Sequence, residues 1–169
     1  MSRIQHEAEG ATALDRAWGL QPHFYEAFMA DHAASIGRVD PVILEICRVR
    51  MAEIFDADFE LGLRYKPAIE AGVTEEKLAA VSRSYNSPLF DKVERSCLAF
   101  AEQFAVQSSG IDDDDVKKLD AALGTEPMIY FIKALSVMDQ LQRSTVGFGL
   151  GAPDGVPQSM PDFTLKQAA

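Results

Sequence analysis

Glu60 and Arg64 stand four residues apart, in the Glu-before-Arg order that favours an ion pair on one helical face. Glu45 lies upstream on a segment that reaches the same place if the two helices pack antiparallel. Two carboxylates and a guanidinium lining a small cavity imply a definite chemistry. Arg64 would grip a substrate carboxylate through two parallel N–H bonds. Glu45 or Glu60 would shuttle a proton, provided burial or the neighbouring carboxylate raises its pKa. Arginine stays protonated near neutral pH, so it cannot itself serve as acid or base. The plainer alternative is an ion pair that merely locks two helices together.

The other chemically capable residues read more blandly. Cys47 shares an apolar stripe with Leu44, Met51 and Ile54, and Cys97 shares one with Val93, Phe100 and Phe104, so both thiols are expected in the core. They form no Cys-x-x-Cys pair, and the three histidines give no zinc-type spacing. His23 and His32 are nine apart, too far for a metal pair on one helix, and each is expected as a surface or core residue. Asp112–Asp115 lacks the glycine and glutamate of a twelve-residue calcium loop and is expected instead as a helix start. Gly147-x-Gly149-x-Gly151 follows a helix, not a strand, which removes a dinucleotide reading.

The elements that position these residues are helices. Apolar residues recur with a 3.6-residue period and almost never alternate. The pattern predicts helices over 22–33, from Asp40-Pro41 through Ile54, from Asp56 or Asp58 to Glu70, and a short one from Thr74 to Val81. Asp91 and Glu94 form a capping-box start for a fifth helix; a sixth runs from Asp112 to Leu123 and a seventh from Glu126-Pro127 to Val146. The expectation is an all-α, single-domain bundle of about six to seven helices. Residues 1–39 are an N-terminal extension with one helix packed on the core, 40–150 the helical domain, and 151–169 a tail or partner-clasping arm. Leu14, Trp18 and Leu20 suggest that the first twenty residues also pack somewhere.

Composition bounds the partners. The 169 residues carry 26 Asp+Glu against 16 Lys+Arg, a formal charge of −10, and no Lys/Arg cluster appears along the chain. Nucleic acid and anionic membranes both need a dense positive surface, so neither is an expected partner. No apolar run approaches a bilayer span, and the N-terminus lacks the apolar stretch of a signal peptide. A reducing cytoplasm is the expected address.

From Asp40 onward, three passages carry a resemblance to a known family. Glu45-Ile46-Cys47-Arg48-Val49-Arg50-Met51-Ala52 is similar to a Glu-Leu-x-x-Leu-Arg-x-Ala helix. Phe55 to Arg64, followed by Ala68, Ala71-Gly72-Val73-Thr74 and Glu75-Glu76, forms the second passage. Glu94–Glu102, Ile111–Val116 and the helix ending Ser136–Val146 form the third. Over roughly 40–150 the chain resembles the carboxymuconolactone decarboxylase superfamily, which includes the alkylhydroperoxidase D (AhpD)-type proteins. The resemblance implies their all-α fold, no cofactor and no metal, and a homo-oligomer, commonly a trimer or hexamer.

The departures narrow the activity that is implied. The peroxidase branch has Cys-x-x-Cys-x-x-x-His with a glutamate twelve residues before the first cysteine. Glu45 stands at that spacing, but Ala57, Glu60 and Arg64 occupy the cysteine, cysteine and histidine positions. Without a thiolate and a resolving thiol, peroxidase chemistry cannot run there. Glu60-Leu61-x-x-Arg64 and Gly72-Val73-Thr74 are closer to the decarboxylase branch, with arginine in place of histidine. The resemblance thus implies a cofactor-free, lyase-like activity on a small organic acid or lactone. Its alternatives are a non-catalytic helical oligomer that binds a small acid or partner protein and, last, thiol redox activity. An enzyme predicts a closed, partly apolar pocket on which Glu45, Glu60 and Arg64 converge. A scaffold predicts the three satisfied by one another with no room beside them.

Overall fold

The computed structural model describes residues 3–4, 13–152 and 158–159, and within them the chain is all-α. Asp40 accepts from the Val42 and Ile43 amides, and Pro41 fills the first helical position, so a helix opens there and runs over Pro41–Phe55 (α3). Before it come Ala13–Trp18 (α1) and Pro22–Ile36 (α2), two helices where one was expected. Leu14 and Trp18 are buried, as anticipated, whereas Leu20 is exposed.

The helix expected over 56–70 is in fact two short helices, Asp58–Leu61 (α4) and Lys66–Glu70 (α5), separated by an extended step at Leu63–Arg64 (β1). Pro67 supplies the reason. In a continuous helix its ring would collide with the Leu63 carbonyl and its missing N–H would leave that carbonyl bare. Residues preceding proline also avoid the helical region. The break has a direct consequence below, because Glu60 and Arg64 no longer share a helical face.

Thr74 caps the short helix Glu75–Leu78 (α6), and a 3₁₀ turn follows at Val81–Arg83. The capping boxes Asp91/Glu94 and Asp112/Asp115 start Lys92–Gln107 (α7) and Asp113–Leu123 (α8). Thr125–Phe148 (α9) runs through Gly147 and ends at Gly149, whose φ of 67° suits the left-handed cap that closes it. Of the segment beyond, Gln158–Ser159 (β2) pairs in parallel with Leu63–Arg64, the only strand pairing among the described residues; 153–157 and 160–169 lie outside them.

Helix α3 sits at the centre, against α7 on one side and α9 on another; α8 leans on both α7 and α9, and α2 lies along α9. The long α9 serves two apolar clusters. Phe131, Ala134, Leu135 and Met138 join the main core with α3 and α7, while Val137 and Leu141 join a second cluster with Trp18, Phe28, Phe59 and Leu63. The candidate site lies along the seam between them.

Candidate functional site

Asp56 closes α3 in the left-handed conformation, with φ of 52°, and the Ala57 amide returns to the Ala52 carbonyl at 2.9 Å. Asparagine and aspartate tolerate this conformation better than other side chains. The tight reversal lays α4 back along α3 and brings Glu60 near Glu45, both of them essentially without solvent exposure. What joins them is Arg48, itself 3% exposed, not Arg64.

The Arg48 guanidinium is fully engaged. Its Nε donates to Glu45 Oε2 at 2.7 Å and its Nη2 to Glu45 Oε1 at 2.8 Å, a bidentate pair. Nη1 donates to the Glu60 carbonyl at 2.7 Å and, more weakly, to Glu60 Oε2 at 3.3 Å; Nη2 also reaches the Leu63 carbonyl at 2.9 Å. Glu45 Oε1 further accepts from the Tyr65 amide at 3.1 Å. Arg48 therefore takes up carbonyls that the broken helix leaves without intrahelical donors, and Glu45 holds the chain where it leaves the break. Burial works to lower the Arg48 pKa, but Glu45 and then Glu60 outweigh it, so the group stays charged.

Glu60 is the less satisfied carboxyl. Only its Oε2 has a partner; Oε1 is buried without one. Burial raises its pKa, Arg48 pulls it back and Glu45 pushes it up again, with the net direction upward from 4.5. Charge arithmetic agrees. One guanidinium balances one buried carboxylate, Glu45 has taken it bidentately, and a second charge in the same low-dielectric site is costly. Of the two buried carboxyls, Glu60 is the one whose surroundings push its pKa upward.

A cavity of about 10 Å³ adjoins Glu60 and Arg48, walled by His32 and Ile36 of α2, Tyr65, and Met138, Leu141 and Gln142 of α9. That is room for about one water molecule. Gln142 Nε2 donates to the Arg48 carbonyl at 2.9 Å, while its Oε1 is a second buried acceptor without a partner. His32 is 2% exposed, and burial, opposed by Asp31, lowers its pKa to about 4, so its imidazole is neutral at physiological pH. A carboxyl of raised pKa, a neutral imidazole and a side-chain amide around one water-sized space form a group able to accept and return a proton.

Arg64 is elsewhere. Its guanidinium makes a two-point pair with Glu75, Nε to Oε1 and Nη2 to Oε2, both at 2.8 Å, and its Nη1 donates to the Leu61 and Leu63 carbonyls. It does not line the cavity. The expected Glu45–Glu60–Arg64 constellation is therefore Glu45–Arg48–Glu60, with Arg64 tying the first turn of α6 to the helix break. The sequence reading does not single out Arg48 or Gln142, and it sets His32 aside as a surface or core residue. Each falls on an apolar stripe: Arg48 between Leu44 and Met51, His32 after Phe28 and Met29, Gln142 after Met138. A polar residue at an apolar-periodic position was the available signal.

Cys47 and Cys97 are both buried and free. Burial, with nearby Cys97, Glu102 and Glu94, pushes the Cys47 thiol well up; burial, with Asp91, Glu94 and Asp40, pushes Cys97 up to about 12. Neither lines the cavity. Among the described residues no group of His, Cys, Asp and Glu is arranged to hold a metal ion, and no helix is long and apolar enough to cross a membrane.

No protein-family model matches the sequence, and no curated protein does. Solved structures do match. One is an Agrobacterium tumefaciens protein of unknown function, suggested to be the antioxidant defence protein AhpD, with a TM-score of 0.77 at 19% identity over 92% of this chain and 100% of that one. The fold is AhpD-like. A second neighbour is the debrominase Bmp8, as a cysteine-to-alanine variant in complex with 2,3,4-tribromopyrrole, with a TM-score of 0.70 at 16% identity over 80% of this chain and 74% of that one. The AhpD-like fold agrees with the resemblance carried by residues 40–150, and the helical extension α1–α2 packs onto it through α9.

Proposed function

We propose that this AhpD-like chain handles protons without a cofactor, in a lyase-like reaction on a small organic acid or lactone, with Glu60 as general acid and base. The observation that carries the reading is the Glu60 carboxyl: fully buried, held at one oxygen only, and set beside a water-sized space. Glu45 acts through Arg48. Their bidentate pair fixes the guanidinium that positions Glu60, and it takes up most of the one positive charge, so that burial raises the Glu60 pKa. Arg64, paired with Glu75, has no anchoring role in this scheme. The debrominase with the same fold binds 2,3,4-tribromopyrrole, which supports a compact cyclic substrate. The cavity as it stands takes about one water, so turnover requires α2, which supplies His32 and Ile36, to move away from the site. The same reading has the chain working in the reducing cytoplasm, supported by two free buried thiols. It also makes the chain a homotrimer or homohexamer, supported by the exposed Leu20, Phe24, Ile69, Leu89 and Ile129.

A panel of small organic acids and lactones, incubated with the protein in D₂O and followed by NMR, tests the proposal. Lactone opening, decarboxylation or deuterium uptake that is lost in Glu60→Gln and kept in Arg64→Ala is the expected result. The second reading, a non-catalytic oligomer, is favoured by the completeness of the Arg48 hydrogen bonding and the small size of the cavity. It takes over if wild type turns over none of the panel.

A further inference from the structure

The sequence holds no run of basic residues, yet folding gathers Lys92 and Arg95 of α7 and Lys118 of α8 along one groove of about 370 Å³. Ala99 and Phe100 give it an apolar lining, and Tyr85, 86% exposed in the turn before α7, stands beside them. A chain with 26 acidic and 16 basic residues offers most cations an acid nearby, and Arg50, Arg64, Lys77, Lys133 and Arg143 each have one. This groove departs from that pattern. Its single acid, Asp115, is occupied by the Asp112 amide at 3.3 Å and by Lys118 at 3.8 Å. Among the described residues, neither Lys92 nor Arg95 has a carboxylate within ion-pair distance; Arg95 is held by one bond, from Nη1 to the Ser87 carbonyl at 3.1 Å. The rest of its guanidinium fork has no partner there.

We propose that this groove binds a small aromatic carboxylic acid. Arg95 presents a planar donor edge that matches a carboxylate in two-point geometry, and Lys92 adds a point charge beside it. Phe100 and Ala99 receive the ring, and Tyr85 closes over it face to face or edge to face. The volume lies within the range of small-molecule sites, roughly 300–1,000 Å³. In a strongly negative protein an uncompensated positive groove is also the place to which an organic anion is steered. The site is independent of the Glu60 cavity, with which it shares no lining residue.

The test uses the full chain and phthalate as the probe, followed by ¹H–¹⁵N NMR. Binding in the groove gives saturable shifts at amides of residues 84–96 and 115–118, an affinity that falls as salt is added, and at least about tenfold weaker binding in Arg95→Gln. Since Arg95 also holds the Ser87 carbonyl, Lys92→Gln, which breaks no such bond, must weaken binding as well. Glu60→Gln must leave the titration unchanged. Shifts that never saturate, shifts that centre on His32 and Tyr65, or affinities indifferent to both groove substitutions would overturn the proposal.

Discussion

Replacing Arg48 with methionine tests the arrangement most directly. The change keeps side-chain bulk and removes the charge, leaving the Glu45 carboxylate with the Tyr65 amide as its remaining partner and depriving the Glu60 and Leu63 carbonyls of their Arg48 donors. Removing one partner of a buried ion pair costs about 3–5 kcal/mol, because the other charge is stranded. A domain of this size loses about 2–4 °C of Tm per kcal/mol, so a fall of about 6–20 °C is expected. The stranded carboxyl supplies an internal control. With its folded pKa raised above the unfolded value, it binds a proton more readily when folded, so the deficit against wild type shrinks at acid pH and widens toward neutrality. Adding Glu45→Leu removes the stranded charge, and the double variant should recover part of the loss. Urea unfolding at pH 5 and pH 8 reads all three effects. A cost below about 1 kcal/mol, or a double variant no better than Arg48→Met, would falsify the assignment of Arg48 as the charge that organises this site.

Two titrations of opposite sign should also be separable. Glu60, with its pKa raised by burial, lends stability that is complete below its unfolded pKa and lost as pH rises through its folded pKa; Glu60→Gln should flatten that limb of the Tm–pH curve. His32, lowered from 6.5 to about 4, makes the fold less stable as pH falls through that interval, by about 3 kcal/mol in full, and His32→Gln should abolish the acid-side loss. Arg64→Ala should cost no more than about 1 kcal/mol, since its Glu75 partner is largely exposed; a collapse of the fold would show that its two carbonyl contacts matter more than the ion pair. Both cysteines should resist iodoacetamide in the folded protein and react only on unfolding, with mass spectrometry after timed quenching as the readout.

Most of the scaffold was legible because its signals are local. Asp40-Pro41, the Asp91/Glu94 capping box and the acidic helix start at Asp112–Asp115 each act within a few residues, and the helices begin near where they indicate. Glu45 and Glu60 were legible as a pair through their spacing. Arg64 was not legible in the same way: the periodic pattern over 56–70 indicates one continuous helix, and Pro67 breaks it between Glu60 and the residues that follow Arg64. Arg48, His32 and Gln142 were hidden differently. Their burial is decided by where α2 and α9 pack around α3, and the Gln142–Arg48 contact joins residues 94 apart in the chain. The cation groove was invisible for the same reason, since α7 and α8 each contribute only part of it.

The break at residues 62–65 also bears on whether thiol chemistry could be written onto this scaffold. Writing cysteine at positions 57 and 60 and histidine at 64 would spell a Cys-x-x-Cys-x-x-x-His motif without making its sulfurs accessible. Position 57 and position 60 are each about 1% exposed, so both sulfurs would be sealed from any peroxide, and a side chain at 64 would leave toward α6. The backbone that dictates this is held from outside the motif, by the ring of Pro67 and by the Arg48 guanidinium on the Glu60 and Leu63 carbonyls.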